Sequence, residues 1–315
     1  MDKIKYILIL VLSLSYLKLN AQCCGAGNPI SISNVDQSIS RKNLQISFDY
    51  RHSKTDTYYE GSEVSDFDFL GKLKYAKYDF MNLGVGYGVT NRLTIQGQLG
   101  YYIQKKENFI NENIPDAAAS GIGDFALNLS YMIFRDLQRG IELTPFVIVK
   151  FPIGKFDCES EGVKLPISMQ PSSGSFKYSA GFSFYSNVSQ RWYLTAYGLY
   201  EYAQRIISNN FDYQYGDLFY FNVSAFHRST ENLSLGLQLA YEFQDRAKSR
   251  GEILVGTKYN LLRITPSLMY KLSKQWQLAC FVEIPIWRKV MSIQMSNKWA
   301  LQTKIIYNIN LKKRY

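Results

Sequence analysis

The chain has 315 residues, a net charge of +10 and an aromatic share of 15%, with 25 Tyr and 19 Phe against only 8 Pro and 2 His. That composition suits the pleated, half-exposed surface of strands better than a soluble helical enzyme. A mean hydropathy of -0.19 argues against a helical membrane bundle but allows a barrel, whose strands turn every second residue toward a polar lumen.

Lys and Arg are nowhere clustered with interleaved aromatics, so the basic balance marks no nucleic-acid groove. Scattered over ends and loops, it can face anionic lipid headgroups. Residues 1–21 read as an export signal. Lys3 and Lys5 precede an apolar run from Tyr6 to Leu17, and Leu19-Asn20-Ala21 offers a cleavage site before Gln22. The run is short for a membrane-spanning helix. Gln22 is also not the small residue that usually precedes a lipid-modified cysteine.

Residues 22–43 show no periodicity and open with Cys23-Cys24-Gly25-Ala26-Gly27. They form either a periplasmic tail or a plug inside the barrel. Two adjacent thiolates at Cys23 and Cys24 could hold a soft metal such as Cu(I), join in a disulfide or engage a periplasmic partner. No CxxC pair or Cys/His spacing suggests zinc. Cys158 falls in an outer loop, and Cys280 falls on the lipid face.

From residue 44 to 315 the chain alternates. Leu44, Ile46, Phe48 and Tyr50 are interleaved with Gln45, Ser47, Asp49 and Arg51. The same period of two, which means a strand and not a helix, runs through Leu93 to Ile103, Phe125 to Ile133, Leu233 to Gln244 and Leu301 to Asn310. Less regular segments at 78–89, 141–151, 176–187, 192–203, 217–228, 261–272 and 276–287 bring the total to about twelve strands. Short links at 90–92, 135–140, 189–191, 229–232 and 273–275 alternate with long polar segments near 54–76, 105–122, 152–175, 204–216, 245–260 and 288–297. The expected fold is therefore an all-β transmembrane antiparallel barrel with short periplasmic turns and long outer loops, in the bacterial outer membrane. Tyr101, Tyr102, Trp192, Tyr193, Tyr200, Tyr202, Trp276 and Trp299 lie near strand ends, where an interfacial girdle belongs. The chain ends on an aromatic, Tyr315, after an atypical Lys312-Lys313-Arg314.

The alternation assigns a lumen-lining set: Asp49, Arg51, Gln96, Gln98, Asn128, Glu142, Lys150, Asn222, Gln238, Glu242, Arg263, Lys271, Glu283 and Lys304. Either these charges select a permeant, or they pair with one another and hold the lumen shut. Gly84, Gly86 and Gly88 fall on one inner face and leave space there for a permeant or for strand bending.

Three groups of short motifs resemble a small barrel family named for the meta-pathway of phenol degradation. They are Gly121-Ile122-Gly123-Asp124; Thr144-Pro145 followed by Lys150-Phe151-Pro152-Ile153-Gly154-Lys155; and Thr265-Pro266-Ser267-Leu268 with Ser273-Lys274-Gln275-Trp276 and Glu283-Ile284-Pro285. The resemblance runs from about residue 75 onward. It implies an outer-membrane channel or transporter, distantly similar to fatty-acid transporter barrels, that takes small hydrophobic molecules and needs no cofactor. The alternative is a non-transporting envelope barrel whose cysteine pair binds a metal or a partner. A hydrolase needs a serine within reach of a histidine. Only His227 has one two positions away, Ser229, and it opens a predicted periplasmic turn, so the chain is read as a non-enzyme.

Overall fold

The computed structural model describes residues 23–24 and 38–311, apart from 70, 161, 209 and 210. The predicted signal, its cleavage point and most of segment 22–43 lie outside the described residues. Twelve long strands form the wall. In chain order they are β1 (Asn43–Thr55), β2 (Leu73–Gly88), β3 (Leu93–Phe109), β4 (Ala117–Tyr131), β5 (Ile141–Phe151) and β6 (Lys177–Asn187). Then come β7 (Trp192–Ala203), β8 (Leu218–Arg228), β9 (Leu233–Gln244), β10 (Tyr259–Lys271), β11 (Trp276–Ser296) and β12 (Trp299–Asn310). Each strand pairs antiparallel with its neighbours in sequence, and β1 pairs with β12 from Asn43↔Asn310 to Lys54↔Trp299, which closes the barrel. Closure satisfies the backbone of every wall strand without an edge, the condition for residing in lipid.

Facing follows the pleat. On β9, Leu235, Leu237 and Leu239 are half exposed on the outside while Gln238 and Glu242 are buried within. The girdle reading fails at two places. Tyr102 is 4% exposed and Tyr193 stacks on inward Phe226, because neighbours on a strand point to opposite faces. Only their partners Tyr101 and Trp192 face out.

Two expected loops are largely strand. The segment 105–122 narrows to residues 110–116, since β3 and β4 run past the membrane wall with register shifts at Tyr102/Lys105. The segment 288–297 is the outer part of β11, leaving Asn297 and Lys298 as a tight turn. This tip finds partners of its own: Val290 to Met295 pairs with Tyr58–Gly61.

Chain that leaves the long-loop end packs back on it. Tyr58, Leu73, Tyr78, Cys158, Met169 and Met295 form one apolar cluster there. Ile206, Tyr213 and Ala247 form another beneath a four-stranded sheet made of Ile206–Ile207, Asp212–Gln214, Ala247–Ser249 and Glu252–Leu254. Arg205 grips Asp212 with two 2.7 Å hydrogen bonds, and this guanidinium holds the Asp212 carboxyl below its ordinary range. The short-turn end carries no such cover from its turns.

Candidate functional site

The lumen holds two charged groups on opposite walls. On the β9–β1 side, Arg51 meets Glu283 through Nε and Nη2 at 3.0 and 3.1 Å. Arg263 donates to Glu283 at 3.4 Å and to Glu242 at 2.6 Å, and the Tyr259 hydroxyl donates to Glu242. Asp49 accepts from Asn82 and Gln302. On the β5–β7 side, Lys150 pairs with Glu201 at 2.7 Å, and Ser179 and Lys177 complete the set. Pairing of this kind offsets the large desolvation cost of buried charge.

Of the lumen-lining residues named from sequence, Asp49, Arg51, Asn222, Gln238, Glu242, Arg263, Glu283 and Lys304 are buried inside the barrel. Gln98, Asn128 and Lys150 line an inner cavity of about 110 Å³, and Gln96 lies against Gly84 and Gly86. Glu142 sits at the short-turn rim, bound to Arg135 at 2.6 Å, and Lys271 stands at the mouth of that end. The space over Gly84, Gly86 and Gly88 is filled at its lower end. A side chain at Gly86 would strike Ile39, and one at Gly88 would strike the backbone of Ile39 and Ser40. These glycines let the chain entering the barrel lie flat against β2, anchored by Lys42 N–H on Gly88 O and Ile39 N–H on Thr94.

The alternation missed an inward apolar stripe. Phe146, Ile148, Tyr197, Leu199 and Tyr220 are buried on the inner wall, with Phe146 stacked on Tyr197 at 4.9 Å. Strands β7 and β8 are apolar on both faces, Phe219, Phe221 and Val223 outward and Tyr220 and Phe226 inward. Their weak sequence alternation was the available signal. The stripe borders the 110 Å³ cavity, which Phe80, Tyr102, Tyr197 and Leu199 line together with Asn82, Asp124, Lys150 and Glu201.

Pro171 caps this cavity, and two of the motif groups explain how it is held there. Asp124, last residue of the Gly121–Asp124 motif, accepts from the Ser172 hydroxyl at 2.7 Å and the Ser173 N–H at 2.9 Å. Gly154 lies so close to Ile122 and Gly123 that no side chain would fit. Lys105 Nζ donates to the carbonyls of Ser168 and Gln170 at 2.8 Å each. The motifs thus seat the loop 152–175 over the outer mouth.

The third motif group meets at the wall. The β11–β12 ladder stops at Glu283↔Ala300, and Pro285, which has no N–H to give, follows a bulge at Leu262/Arg263. A cleft of about 10 Å³ opens there between Pro285 on one side and Ser296, Trp299 and Ala300 on the other.

Cys23 and Cys24 were expected in the periplasm or in the lumen. Their backbone pairs in parallel with Met295 and Ser296, at the long-loop end. Ser38–Ser40 lie at the short-turn end, and residues 25–37 between them are outside the described residues. Among the described residues no three His, Cys, Asp or Glu side chains are grouped as metal ligands. Cys158 is buried in the outer loops and Cys280 lies in the wall, both as free thiols. His227 Nδ1 lies 3.2 Å from Ser229 Oγ, exposed beside Trp192 at the short-turn end.

A family model described as "Putative MetA-pathway of phenol degradation" matches residues 60–284. No curated protein matches the chain significantly in sequence. Among solved structures, the COG4313 outer membrane channel from Pseudomonas putida F1 superposes with a TM-score of 0.72 at 13% identity, covering 89% of this chain and 100% of that one. The transport unit of the autotransporter AIDA-I from Escherichia coli gives 0.50 at 10% identity, covering 90% and 94%. The CymD monoaromatic hydrocarbon channel gives 0.47 at 8%, covering 88% and 90%. The chain is a bacterial outer-membrane β-barrel and belongs to the family named for the MetA pathway of phenol degradation.

Proposed function

We propose that the barrel passes small, largely apolar molecules across the outer membrane and is not an enzyme. The observation that carries this reading is the inward stripe of Phe146, Ile148, Tyr197, Leu199 and Tyr220 beside an inner cavity. A pore for hydrophilic solutes needs a continuous wet path. Here the outer mouth is roofed by apolar clusters, and the lumen charges are spent on one another. An apolar cargo suits the stripe.

The test is uptake of the apolar dye 1-N-phenylnaphthylamine by intact cells expressing the protein. Expression should raise the initial rate several-fold over cells expressing an unrelated barrel, and Tyr197→Asp with Tyr220→Asp should remove the gain while the barrel stays folded. Equal rates with and without the protein would sink the reading.

A further inference from the structure

The short-turn end holds a second and larger chamber, of about 450 Å³. Its lining is segregated. Tyr185, Tyr193 and Phe226 form an aromatic wall, with Tyr193 stacked on Phe226 at 4.7 Å and 8°. Three cations, Arg228, Lys271 and Lys274, line the same chamber, and no carboxylate does among the described residues. Glu142, the nearest acid to Ser38 at this rim, is held by Arg135.

Arg228 is fixed in place, not loose. Its guanidinium donates to the Tyr185 hydroxyl at 3.0 Å, Asn187 Oδ1 at 2.8 Å and the Gln190 carbonyl at 3.1 Å, and it lies 4.7 Å over the Tyr193 ring. A guanidinium held by neutral groups keeps its full charge, and these bonds engage both Nη2 hydrogens and one on Nη1, so Nε–H and the second Nη1–H are left to attract an anion.

Deeper in, a row of polar atoms faces the lumen without partners. Thr195 Oγ1, Ser224 Oγ and Gln238 Oε1 have no hydrogen bond within the protein, and each residue is under 5% exposed. They stand in cross-strand register, Thr195↔Ser224↔Gln238, on β7, β8 and β9. Buried polar groups are nearly always satisfied, so such a row marks a place where a bound molecule or water completes the bonding.

An aromatic wall, a fixed cation and the unsatisfied Thr195 and Gln238 oxygens lining one chamber describe a single kind of guest. We propose that the short-turn vestibule is a binding site for small organic carboxylates with an apolar, aromatic body. The apolar body packs against the wall formed by Tyr185, Tyr193 and Phe226, and the carboxylate meets Arg228 with Lys271 and Lys274 supplying the field. This narrows the channel reading to one cargo class at its periplasmic exit, and rests on that reading only for the direction of travel.

The experiment is calorimetric titration of the full mature protein in a non-ionic detergent with benzoate, with its uncharged analogue benzamide and with acetate. Benzoate should bind at least ten-fold more tightly than either. Lys271→Gln with Lys274→Gln, both with exposed side chains, Lys271 at the end of β10 and Lys274 in the turn after it, should weaken benzoate several-fold. Arg228→Gln should weaken it ten-fold or more, and none of these changes should move benzamide. Equal binding of benzoate and benzamide would overturn the proposal, as would acetate matching benzoate, or benzoate affinity that ignores all three cations. Should Arg228→Gln fail to show the heat-dependent gel shift of a folded barrel, the lysine pair decides alone. Dye uptake reads the channel and the titration reads the vestibule, so either can fail without the other.

Discussion

At one mouth of the barrel the chain returns over the lumen, and at the other it barely leaves the wall. The long-loop end is closed by two apolar clusters, by Lys105 reaching two carbonyls of the loop 152–175 and by Asp124 holding Ser172 and Ser173. The short-turn end is built from one local device in each of its five turns, with Asp136 serving the turn at 135–140. Thr90, Ser189, Thr230 and Ser273 each accept, through the side-chain oxygen, the backbone N–H groups two and three residues on. A local device leaves the mouth uncovered, and a vestibule of about 450 Å³ results. Closure at the other end is bought with long-range contacts, and those are what mutation should disturb.

The largest effect is expected between the two mouths, where Arg263 serves both Glu242 and Glu283. Arg263→Ala leaves two buried carboxylates short of counter-charge and should cost about 3–5 kcal/mol. Equilibrium unfolding in urea from lipid vesicles measures it, and Arg263→Lys should recover part of the loss. A cost near zero would mean that the pairs do not hold the lumen.

Next comes the wall that both mouths share. Leu237 is 51% exposed on the lipid side and Gln238 is 3% exposed inside. Leu237→Arg should cost about 2–4 kcal/mol at mid-membrane and Gln238→Arg much less. The reverse order would mean a register slipped by one residue.

The seal is weaker because it is local to one loop. Lys105→Met removes two charge-assisted hydrogen bonds and should loosen the loop by about 1.5–3 kcal/mol. The readout is limited proteolysis of whole cells, with faster cutting within 152–175 and an unchanged heat-dependent gel shift. Loss of the gel shift would show that the loop belongs to the barrel's stability and not only to its closure.

The contrast between the mouths also explains what the sequence made legible. Strand number, facing and the short turns depend on neighbours in sequence or on a period of two, so Leu235 to Leu239 and Thr230 could be read directly. What escaped depends on contacts between distant segments. Tyr197 and Tyr220 face inward on strands that are apolar on both sides, where no alternation separates lipid from lumen. The tip of β11 reads as a polar loop, yet it is strand because Tyr58–Gly61 arrives beside it from the other end of the chain. The glycines of β2 promised space, and Ile39 and Ser40 take it. The motif residues Asp124 and Gly154 were visible as motifs, while their joint task of seating one loop was not.

The smallest effect concerns the cysteine pair, and it tests which mouth residues 23 and 24 belong to. Cys23 and Cys24 meet β11 at Met295 and Ser296 through backbone pairing. Cys23→Ser with Cys24→Ser should therefore leave the gel shift intact and stability within about 0.5 kcal/mol, the usual range for changes outside a packed core. Location is read separately, in a background where Cys158→Ser and Cys280→Ser remove the two wall and loop thiols. Pairing at the outer tip of β11 puts the cysteines on the long-loop side, so a membrane-impermeant maleimide should label intact cells. A periplasmic tail predicts labelling only after the outer membrane is permeabilised. That second result would move residues 23 and 24 to the vestibule end, beside Ser38 and the three cations, and the two mouths would then differ by a plug as well as by a roof.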